Sequence, residues 1–284
     1  MRLVHGITEL RAQVAAWRQA GERVAFVPTM GNLHRGHLEL VRQARQRAPR
    51  VVASVFVNPL QFGPNEDFDR YPRTLEQDRE RLQAAGCDLL FAPSVKEMYP
   101  RGREGLTCVH VPGISDILCG QFRPGHFDGV ATVVNLLFNL VQPDLALFGQ
   151  KDYQQLFLIR RMATDLHLPV EVVGIATERE PDGLALSSRN QYLSADERRR
   201  APAVHAALQA VASGLRAGRR DYPQLAAEQV AQLAEKGFRT QYLEIRRADL
   251  SEPVASDREY VILIASYLGA TRLIDNLHID MPIV

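Results

Sequence analysis

Two histidines three residues apart, His34 and His37, are the side chains best suited to chemistry in the segment V-P-T-M-G-N-L-H-R-G-H-L-E-L at residues 27–40. A strand that enters a helix through a glycine-containing turn directs backbone N–H groups and the positive end of the helix dipole at one point. Two imidazoles at that spacing face the same side of the helix. The pattern predicts a phosphate-binding site, although a histidine in such a turn is more often a helix-capping or surface residue.

Two amides, Asn58 and Gln61, follow the apolar run V-V-A-S-V-F-V at residues 51–57. That run has strand length and no alternation, which is typical of a parallel strand buried on both faces. Side-chain amides at its end could bind hydroxyl or carboxylate groups. Taken alone, turn chemistry before Pro59 explains them equally well.

A third group, G-Q-K-D-Y-Q-Q at residues 149–155, follows another short apolar run. A lysine such as Lys151, at a strand end beside a helix N-terminus, is suited to bind phosphate. Asp152 could cap the helix or help position Mg²⁺, which prefers a few carboxylates plus phosphate oxygens. Gln155 lies one helical turn further on, so it can share a face with Lys151.

A fourth group is Ser187-Ser188-Arg189, which follows the turn residues Pro181-Asp182-Gly183. Two hydroxyls and a guanidinium on one loop could clamp phosphates. The alternative is an ordinary polar linker.

Alternating strands and helices must position these groups. The hydrophobic spacing and the caps predict the following elements: a helix 8–20 capped by Thr8, a strand 24–27, a helix ending near 47, a strand 51–57, a helix opened by a capping box at Thr74 and closed at Gly86, a strand 88–92, an irregular segment 96–127, a helix 129–142, a strand 144–148, a helix ending near 167, and a strand 170–176. Such alternation indicates a parallel sheet, and ligands bind beyond the carboxyl ends of its strands. Because three of the four groups each follow a strand, we expect one composite site.

The pattern changes after residue 177. A capping box at Ser194 and Glu197 opens a long helix, a second helix covers 222–236, and strands are predicted at 242–246, 260–267 and 271–279. Helices followed by strands indicate a smaller α+β unit. We predict a Rossmann-like domain at 1–177 and a C-terminal α+β lid domain at 178–284, with residues 177–190 as the hinge that carries it over the site.

Composition excludes several classes of protein. The net charge of +1 over 284 residues, with no tract rich in lysine and arginine, argues against nucleic acid and an anionic membrane as partners, and so against an RNA-binding module. The N-terminus lacks the pattern of a signal peptide, and no apolar stretch is long enough to span a bilayer. Three cysteines, Cys87, Cys108 and Cys119, show no zinc-binding spacing and suit reduced thiols, so we expect a cytoplasmic protein.

The joint order of the four groups is more specific than any one of them. An early H-x-G-H after the first predicted strand of the sheet, then a hydroxyl-rich basic loop before a C-terminal domain, resembles the class I aminoacyl-tRNA synthetase and nucleotidylyltransferase superfamily. Longer segments are similar to the pantothenate synthetase family over residues 3–279: T-M-G-N-L-H-R-G-H, F-V-N-P-L-Q-F, Y-P-R-T, R-P-G-H-F-D-G-V-A-T-V-V, P-D-L-A-L-F-G-Q-K-D-Y-Q-Q, D-G-L-A-L-S-S-R-N-Q-Y-L and T-R-L-I-D-N.

That resemblance implies an ATP-dependent, AMP-forming ligase that condenses (R)-pantoate with β-alanine through a pantoyl adenylate, in the biosynthesis of coenzyme A. It implies that the domain at 1–177 binds nucleotide and pantoate. It also implies Mg²⁺ with the ATP, no organic cofactor, and a homodimer. The alternative is a nucleotidylyltransferase acting on a small phosphorylated acceptor, which would keep the nucleotide in its product.

The resemblance also implies roles for individual residues. Those expected in catalysis are His34, His37, Lys151 and Arg189. Those expected to bind ATP are Met30, Gly31, Asn32, Leu33, His34, Arg35, Gly36, His37, Gly149, Gln150, Lys151, Asp152, Glu178, Leu186, Ser187, Ser188 and Arg189. Those expected to bind pantoate are Gln61, Gln155, Met30 and Asn58, with Gln61 also expected to contact β-alanine. Arg123 and His126 are candidates for the β-alanine carboxylate or for the lid, and Asp152 is a possible Mg²⁺ contact.

One segment, E-R-E-P at residues 178–181, departs from the family pattern, which has a small apolar residue at 178 and no proline at 181. Position 178 is expected to contact the adenosine through its backbone. The presence of Glu178 therefore affects that contact, and the resemblance to the family is unchanged.

Overall fold

The computed structural model describes residues 1–63, 66, 68–102 and 105–281. Three groups of residues lie outside the described residues. They are residues 64, 65 and 67, between the predicted strand 51–57 and the predicted helix that opens at Thr74, residues 103 and 104 of the predicted irregular segment, and residues 282–284 of the predicted second domain. The chain forms two compact units: unit 1 comprises residues 1–150 and 155–176, and unit 2 comprises residues 151–154 and 177–284. Unit 2 therefore takes the short segment 151–154 out of the range predicted for the first domain.

Unit 1 is built on a six-stranded parallel sheet with the order β1-β4-β3-β2-β5-β6. Its strands are β1 (Arg2–Val4), β2 (Val24–Thr29), β3 (Arg50–Val55), β4 (Leu89–Phe91), β5 (Leu145–Gly149) and β6 (Glu171–Ile175). Its helices are α1 (Ile7–Gln19), α2 (Arg35–Arg47), α3 (Leu75–Ala84), α4 (Val95–Met98), α5 (Cys119–Phe122), α6 (His126–Val141) and α7 (Tyr153–Asp165), whose first two residues belong to unit 2.

The apolar runs explain why the sheet is covered on both faces. Val24–Val27 in β2 and Val51–Ala53 in β3 are completely buried. Strands without alternation of polar and apolar residues bury both faces in this way. The predicted parallel α/β fold is therefore confirmed.

The central position of β2 sets where the functional groups lie. The chain runs from β2 outward through β3 to β4 on one side, and then crosses to β5 and β6 on the other side of β2. The carboxyl ends of the adjacent strands β3, β2 and β5 lead into the segments that begin at Phe56, Met30 and Gln150. Such a reversal of strand order is where open α/β sheets bind their ligands.

Unit 2 packs helices on a three-stranded antiparallel sheet, which confirms the α+β prediction. The strands are β7 (Phe238–Arg246), β8 (Glu259–Leu268) and β9 (Thr271–Asp280), in the order β7-β8-β9. The helices are α8 (Ala195–Arg200), α9 (Ala203–Arg216) and α10 (Tyr222–Glu235). Its core is apolar and includes Leu208 and Val211 of α9 and Ile262 and Ile264 of β8.

Several local predictions are wrong for identifiable reasons. The first helix is capped by Gly6 and not by Thr8, because Ile7 N donates to Glu97 Oε1 of α4 at 2.8 Å. Thr74 precedes α3 but forms no capping box, since its hydroxyl donates to Asp78 Oδ2 at 3.0 Å.

Other boundaries also differ from the predictions. Helix α6 begins at His126, so the end of the predicted irregular segment is helical. The predicted long helix after Ser194 has its capping box, yet it ends at Arg200 and resumes as α9 after Pro202. Strand β1 was not predicted, because three residues are too few for a hydrophobic pattern.

All three cysteines lie among the described residues, and none forms a disulfide. In the described part of the chain, no helix is both long enough and apolar enough to cross a membrane.

Candidate active site

The turn between β2 and α2 holds the two histidines and has an unusual backbone. Gly31 has φ +85°, and Asn32 has φ +49°, a left-handed conformation in which asparagine is among the better tolerated residues. A Cβ at Gly31 would lie 3.0 Å from Val55 Cγ1 and 3.1 Å from Asp78 Oδ2. Glycine is therefore required here for both its conformation and its size.

A buried carboxylate, Asp78 of α3, fixes this turn. Its Oδ2 accepts from Asn32 N at 2.9 Å and its Oδ1 accepts from Leu33 N at 2.8 Å. Asp78 is fully buried, and a buried carboxylate is stabilised by such N–H donors. Any contact that Asn32 and Leu33 make with ATP therefore does not use these two N–H groups.

Asp78 is not among the predicted site residues, although the sequence holds a signal for it. Asp78 stands between Leu75 and Leu82 at helical spacing, so a charged residue interrupts the apolar stripe of α3. One turn further on, Arg81 donates to the backbone oxygen of Leu33. Helix α3 thus binds both backbone N–H groups and a backbone oxygen of the turn.

The two histidines lie together at the start of α2. His34 is the N-cap residue, His37 is the third residue of the helix, and their ring centroids are 4.0 Å apart. The backbone N of His34 donates to His37 Nδ1 at 3.3 Å. Because a backbone N–H can only donate, Nδ1 is the acceptor and the proton of the neutral His37 ring lies on Nε2. Both rings are half-buried, while Arg35 between them is exposed.

Asn58 and Gln61 lie in the 3-10 turn that follows β3, and both are buried. Asn58 Nδ2 donates to Gln61 Oε1 at 3.0 Å, and Gln61 Nε2 donates to Met30 Sδ at 3.4 Å. The structure therefore brings together three of the four residues predicted to bind pantoate. The fourth, Gln155, is half-buried in α7.

Arg123 and His126 hold the backbone of the same turn. Arg123 pairs with Glu66 through two hydrogen bonds of 2.6 and 2.5 Å, and it also donates to Gln61 O at 3.2 Å. His126 Nδ1 donates to the same oxygen at 2.8 Å. Burial acts to raise the pKa of Glu66, but the hydrogen bonds and charge of Arg123, with the charge of His126, outweigh it and lower that pKa. Arg123 thus already holds one carboxylate, that of Glu66.

A cleft of about 740 Å³, open to solvent, lies at the carboxyl edge of unit 1. It is bordered by Met30 and Gly31, by the last residue of β3 and the two that follow it (55–57), and by residues 92–95 after β4. Gly149 and Gln150, predicted to bind ATP, lie half-buried at the end of β5.

In unit 2, the serine and arginine loop is a short 3-10 helix. Ser187 is its N-cap residue, with Oγ accepting from Arg189 N at 3.3 Å. Asn190 Nδ2 donates to Ala185 O at 3.0 Å, which ties the loop to the preceding segment. Ser187 and Lys151 border the same cleft of about 260 Å³ within unit 2, together with Leu184 and Asp275.

The backbone at Lys151 is held by the last strand of unit 2. Asn276 Nδ2 in β9 donates to Lys151 O at 2.8 Å, and Tyr153 Oη donates to Ala248 O at 2.8 Å. Asp152 is half-buried and directly follows Lys151. One carboxylate at this point suits a Mg²⁺ ion that is held mainly by phosphate oxygens.

A buried ion pair supports this strand. Arg179 donates to both oxygens of Asp275, at 2.7 and 2.9 Å, and Asp275 is only 4% exposed. Asp275 Oδ1 also accepts from Asn276 N at 2.8 Å, and Arg179 donates to Asn276 O at 3.2 Å. Burial acts to raise the pKa of Asp275, but the nearby His205, whose Nδ1 lies 3.7 Å from Oδ2, and the hydrogen bonds and charge of Arg179 lower it.

The segment that departs from the family pattern has a clear local structure. Pro181 and Asp182 are the central residues of a turn closed by Gly183 N donating to Glu180 O at 2.9 Å. Proline fits the first central position of such a turn because its φ is preset and its missing N–H is not needed. Glu178 is exposed, and its backbone oxygen accepts from Leu186 N at 2.9 Å.

Among the described residues, one other group could in principle hold a metal ion. Its members, Glu259, His278 and Asp280, offer ligand atoms within 4.8 Å of one another, but all three are exposed. His278 Nε2 lies 2.9 Å from Glu259 Oε1, so an ion pair between β8 and β9 accounts for this group.

Comparison with known proteins finds one family over nearly the whole chain. The family model for pantoate-beta-alanine ligase matches residues 2–278. A pantothenate synthetase of Pseudomonas fluorescens is 60% identical, with 99% of both chains covered, and one of Pseudomonas putida is 58% identical, covering 99% of this chain and 98% of its own.

Solved structures give the same result. The pantothenate synthetase from Thermus thermophilus matches with a TM-score of 0.90 and 51% identity, covering 98% of this chain and 99% of its own. The pantoate-beta-alanine ligase from Francisella tularensis, solved with beta-gamma ATP and beta-alanine, matches with a TM-score of 0.83 and 33% identity, covering 98% of this chain and 97% of its own.

Proposed function

The chain belongs to the pantoate-beta-alanine ligase family, ATP-dependent ligases that make pantothenate from pantoate and β-alanine, and we propose that it works through a pantoyl adenylate. The observation that supports this function most strongly is the 60% identity to a pantothenate synthetase over 99% of both chains. The local geometry supports it further, because polar groups follow the adjacent strands β2 and β3 of unit 1.

The chemistry explains why ATP is needed. A carboxylate does not react with an amine at neutral pH, because its negative charge and resonance resist attack. In the proposed first step, the pantoate carboxylate attacks the α-phosphorus of ATP and expels pyrophosphate. In the second step, the β-alanine amine attacks the acyl carbonyl of the adenylate and AMP leaves.

The histidines are proposed to act on the phosphates in the first step, with the rest of the segment 30–37 contacting ATP around them. A protein accelerates phosphoryl-group chemistry mainly by positioning and by stabilising charge. His37 is the proposed proton donor to the leaving pyrophosphate. Proton transfer needs the imidazolium form of His37, in which Nδ1 carries a proton and gives up the bond from His34 N. In the neutral ring, Nε2–H can donate a hydrogen bond to the charge that develops on the pyrophosphate.

Unit 2 is proposed to supply the other phosphate ligands. Lys151 and Arg189 bring positive charge, and Ser187 and Ser188 bring hydroxyls, while Gly149, Gln150, Asp152, Glu178 and Leu186 are proposed to border the nucleotide. The shared cleft of Lys151 and Ser187 supports assigning these two to the same ligand.

Pantoate is proposed to bind at Gln61 and Gln155, with Met30 and Asn58 bordering it. The contacts of Gln61 with both Asn58 and Met30 support this grouping. Gln61 is also proposed to contact β-alanine. Since Arg123 already pairs with Glu66, its proposed part is to hold Gln61 in place.

Mg²⁺ is proposed to accompany ATP, where it would neutralise phosphate charge. The residues present fit this ion, because Asp152 offers one carboxylate directly after Lys151. We also propose that the chain acts as a homodimer in the cytoplasm, and its thiols suit that compartment. Light scattering during gel filtration tests the dimer, with twice the 31.8 kDa of one chain expected.

The function is tested by mixing protein, ATP, Mg²⁺, pantoate and β-alanine and measuring AMP and pantothenate. Equal amounts of both products, formed only when both substrates are present, are expected. AMP formed without pantoate, or a product that keeps the nucleotide, would contradict the assignment.

The role of His37 needs a separate variant. His37→Ala should lower kcat by roughly a hundredfold, as for loss of one donor to a developing charge. The control is His110→Ala, which removes an exposed histidine paired with Asp128. Full activity in His37→Ala would refute the proton-donor role and leave the ligase function standing.

A further inference from the structure

Asn58 is held by four partners that use its whole side-chain amide. Its Oδ1 accepts from Leu60 N at 3.2 Å and from Tyr99 Oη at 2.8 Å. Its Nδ2 donates to Gly129 O and to Gln61 Oε1, both at 3.0 Å. Asn58 is 1% exposed, so these bonds are shielded from water.

Two of these partners fix the orientation of the amide. A backbone N–H such as that of Leu60 can only donate, and a backbone C=O such as that of Gly129 can only accept. If the Asn58 amide were turned over, both contacts would place like groups together. Oδ1 therefore faces Leu60 and Tyr99, and Nδ2 faces Gly129 and Gln61.

The orientation of Asn58 then determines that of Gln61. Because Nδ2 of Asn58 is a donor, the atom of Gln61 that it meets must be the acceptor Oε1. The NH₂ group of Gln61 is left as the end that points to Met30, whose thioether is a weak acceptor. A substrate oxygen would compete successfully with that sulfur for the same donor.

Tyr99 adds a further restraint on the position of Asn58. Its bond to Asn58 is the shortest of the four, and its ring packs edge-on against Phe56 with centroids 5.9 Å apart. Tyr99 is 2% exposed, and burial raises its pKa well above the ordinary value, so the phenol keeps its proton. It remains a donor over the whole working pH range.

We infer that Tyr99 is a positioning residue for pantoate: by bonding to Asn58, it helps to hold Gln61 in the position from which its NH₂ group donates to an acceptor oxygen of the substrate. The inference rests on the proposed contact between Gln61 and pantoate. It adds a residue beyond that site, 38 positions along the chain from Gln61 and 41 from Asn58.

The test is a double-mutant cycle between Tyr99→Phe and Gln61→Ala, with steady-state kinetics for each substrate. Phenylalanine keeps the ring against Phe56 and removes only the hydroxyl. Tyr99→Phe should raise the KM for pantoate roughly three- to tenfold, the usual effect of losing one neutral hydrogen bond, and leave the KM for ATP unchanged. In the Gln61→Ala background, Tyr99→Phe should have no further effect.

The control is Tyr222→Phe, which removes a hydroxyl that donates to Val254 O in unit 2 and should change no kinetic constant. Thermal unfolding of every variant shows that each is folded. An unchanged pantoate KM in Tyr99→Phe, or the same increase with Gln61→Ala present, would overturn the positioning role while the Gln61 contact stands. If Gln61→Ala itself leaves the pantoate KM unchanged, the proposed contact is wrong and the role of Tyr99 falls with it.

Discussion

The side-chain amide of Asn276 donates a hydrogen bond of 2.8 Å to the backbone oxygen of Lys151. Lys151 follows β5 of unit 1 in the chain, yet this bond ties its backbone to the last strand of unit 2. The neighbouring Asp275 and Arg179 hold Asn276 in turn. The backbone position of Lys151 therefore depends on Asp275 and Asn276, which lie more than a hundred positions away.

Asn276→Ala should weaken the use of ATP. Without the amide, the backbone at Lys151 loses a partially buried hydrogen bond, and we expect kcat/KM for ATP to fall roughly tenfold. The KM for pantoate should change little. Asn139→Ala, at an exposed position of α6, is the control. Kinetics indistinguishable from the unmodified protein would show that Lys151 is positioned without Asn276.

Asp78→Asn should disturb the histidine turn. An amide can supply only one acceptor oxygen, so one of the N–H groups of Asn32 and Leu33 would face an NH₂ group. We expect a loss of about 1–3 kcal/mol in the free energy of unfolding and a fall in kcat of up to a hundredfold, since small displacements of reacting groups are costly. Glu76→Gln, on the exposed side of the same helix, should change neither quantity. Normal kcat in Asp78→Asn would show that the turn keeps its geometry without the carboxylate.

The Arg179–Asp275 pair should make the stability of unit 2 depend on pH. The pKa of Asp275 is lowered in the folded state from its ordinary 3.8, so the ionised pair stabilises the fold above that pH. This contribution should be lost as the pH falls below about 4 through the folded-state pKa. Denaturant titrations at several pH values measure it.

Arg179→Ala should change both the stability of unit 2 near neutral pH and the way in which that stability depends on acid pH. Breaking a buried pair costs about 3 kcal/mol, and the buried carboxylate, no longer paired, should protonate at a higher pH. The folded-state pKa of Asp275 then moves towards or above the unfolded value, so the loss of stability that this carboxyl causes at acid pH should shrink or reverse. Arg198→Ala, which removes the exposed pair with Asp182, should cost less than about 1 kcal/mol. An acid-induced loss of stability as large in Arg179→Ala as in the unmodified protein would contradict this account.

Gly129→Ala should impair the pantoate side of the site. A Cβ at this position in α6 would lie 2.4 Å from Leu60 O and 2.8 Å from Gln61 N, closer than atoms can approach. The turn at 59–61 must move, so we expect a higher KM for pantoate and a stability loss of about 1–3 kcal/mol. Gly6→Ala, where the nearest atom lies 3.6 Å away, is the control. An unaltered pantoate KM would mean that the turn absorbs the methyl group without moving Gln61.

The sequence predicts the sheet and the places of its polar groups, because both follow from short-range patterns. Buried runs such as 51–57 mark parallel strands, and the groups after them must lie at the carboxyl edge. The residue roles at His37 and Lys151 came instead from family resemblance, since a histidine or lysine at a strand end has many ordinary explanations.

The groups that hold the site were not predictable from local patterns. Asp78 binds N–H groups 45 and 46 positions away, and Glu97 caps a helix 90 positions away. Tyr99 contacts Asn58 across 41 positions. Such partners are chosen by tertiary packing, and a single sequence contains no signal for the pairing beyond a polar residue within an apolar stripe.

The pairing of β2 with β5 has a consequence for how the protein is made. Val24 N donates to Asp144 Oδ2 across 120 positions, whereas β8 and β9 are connected by residues 269 and 270 alone and pair up to Leu268 and Thr271. Contacts that are distant in sequence form slowly, because a long loop must close first. During synthesis, β2 therefore gains its second neighbouring strand only after β5 has left the ribosome. We expect completion of the unit 1 sheet to set the rate of folding, while the three-stranded sheet of unit 2 forms quickly once it emerges.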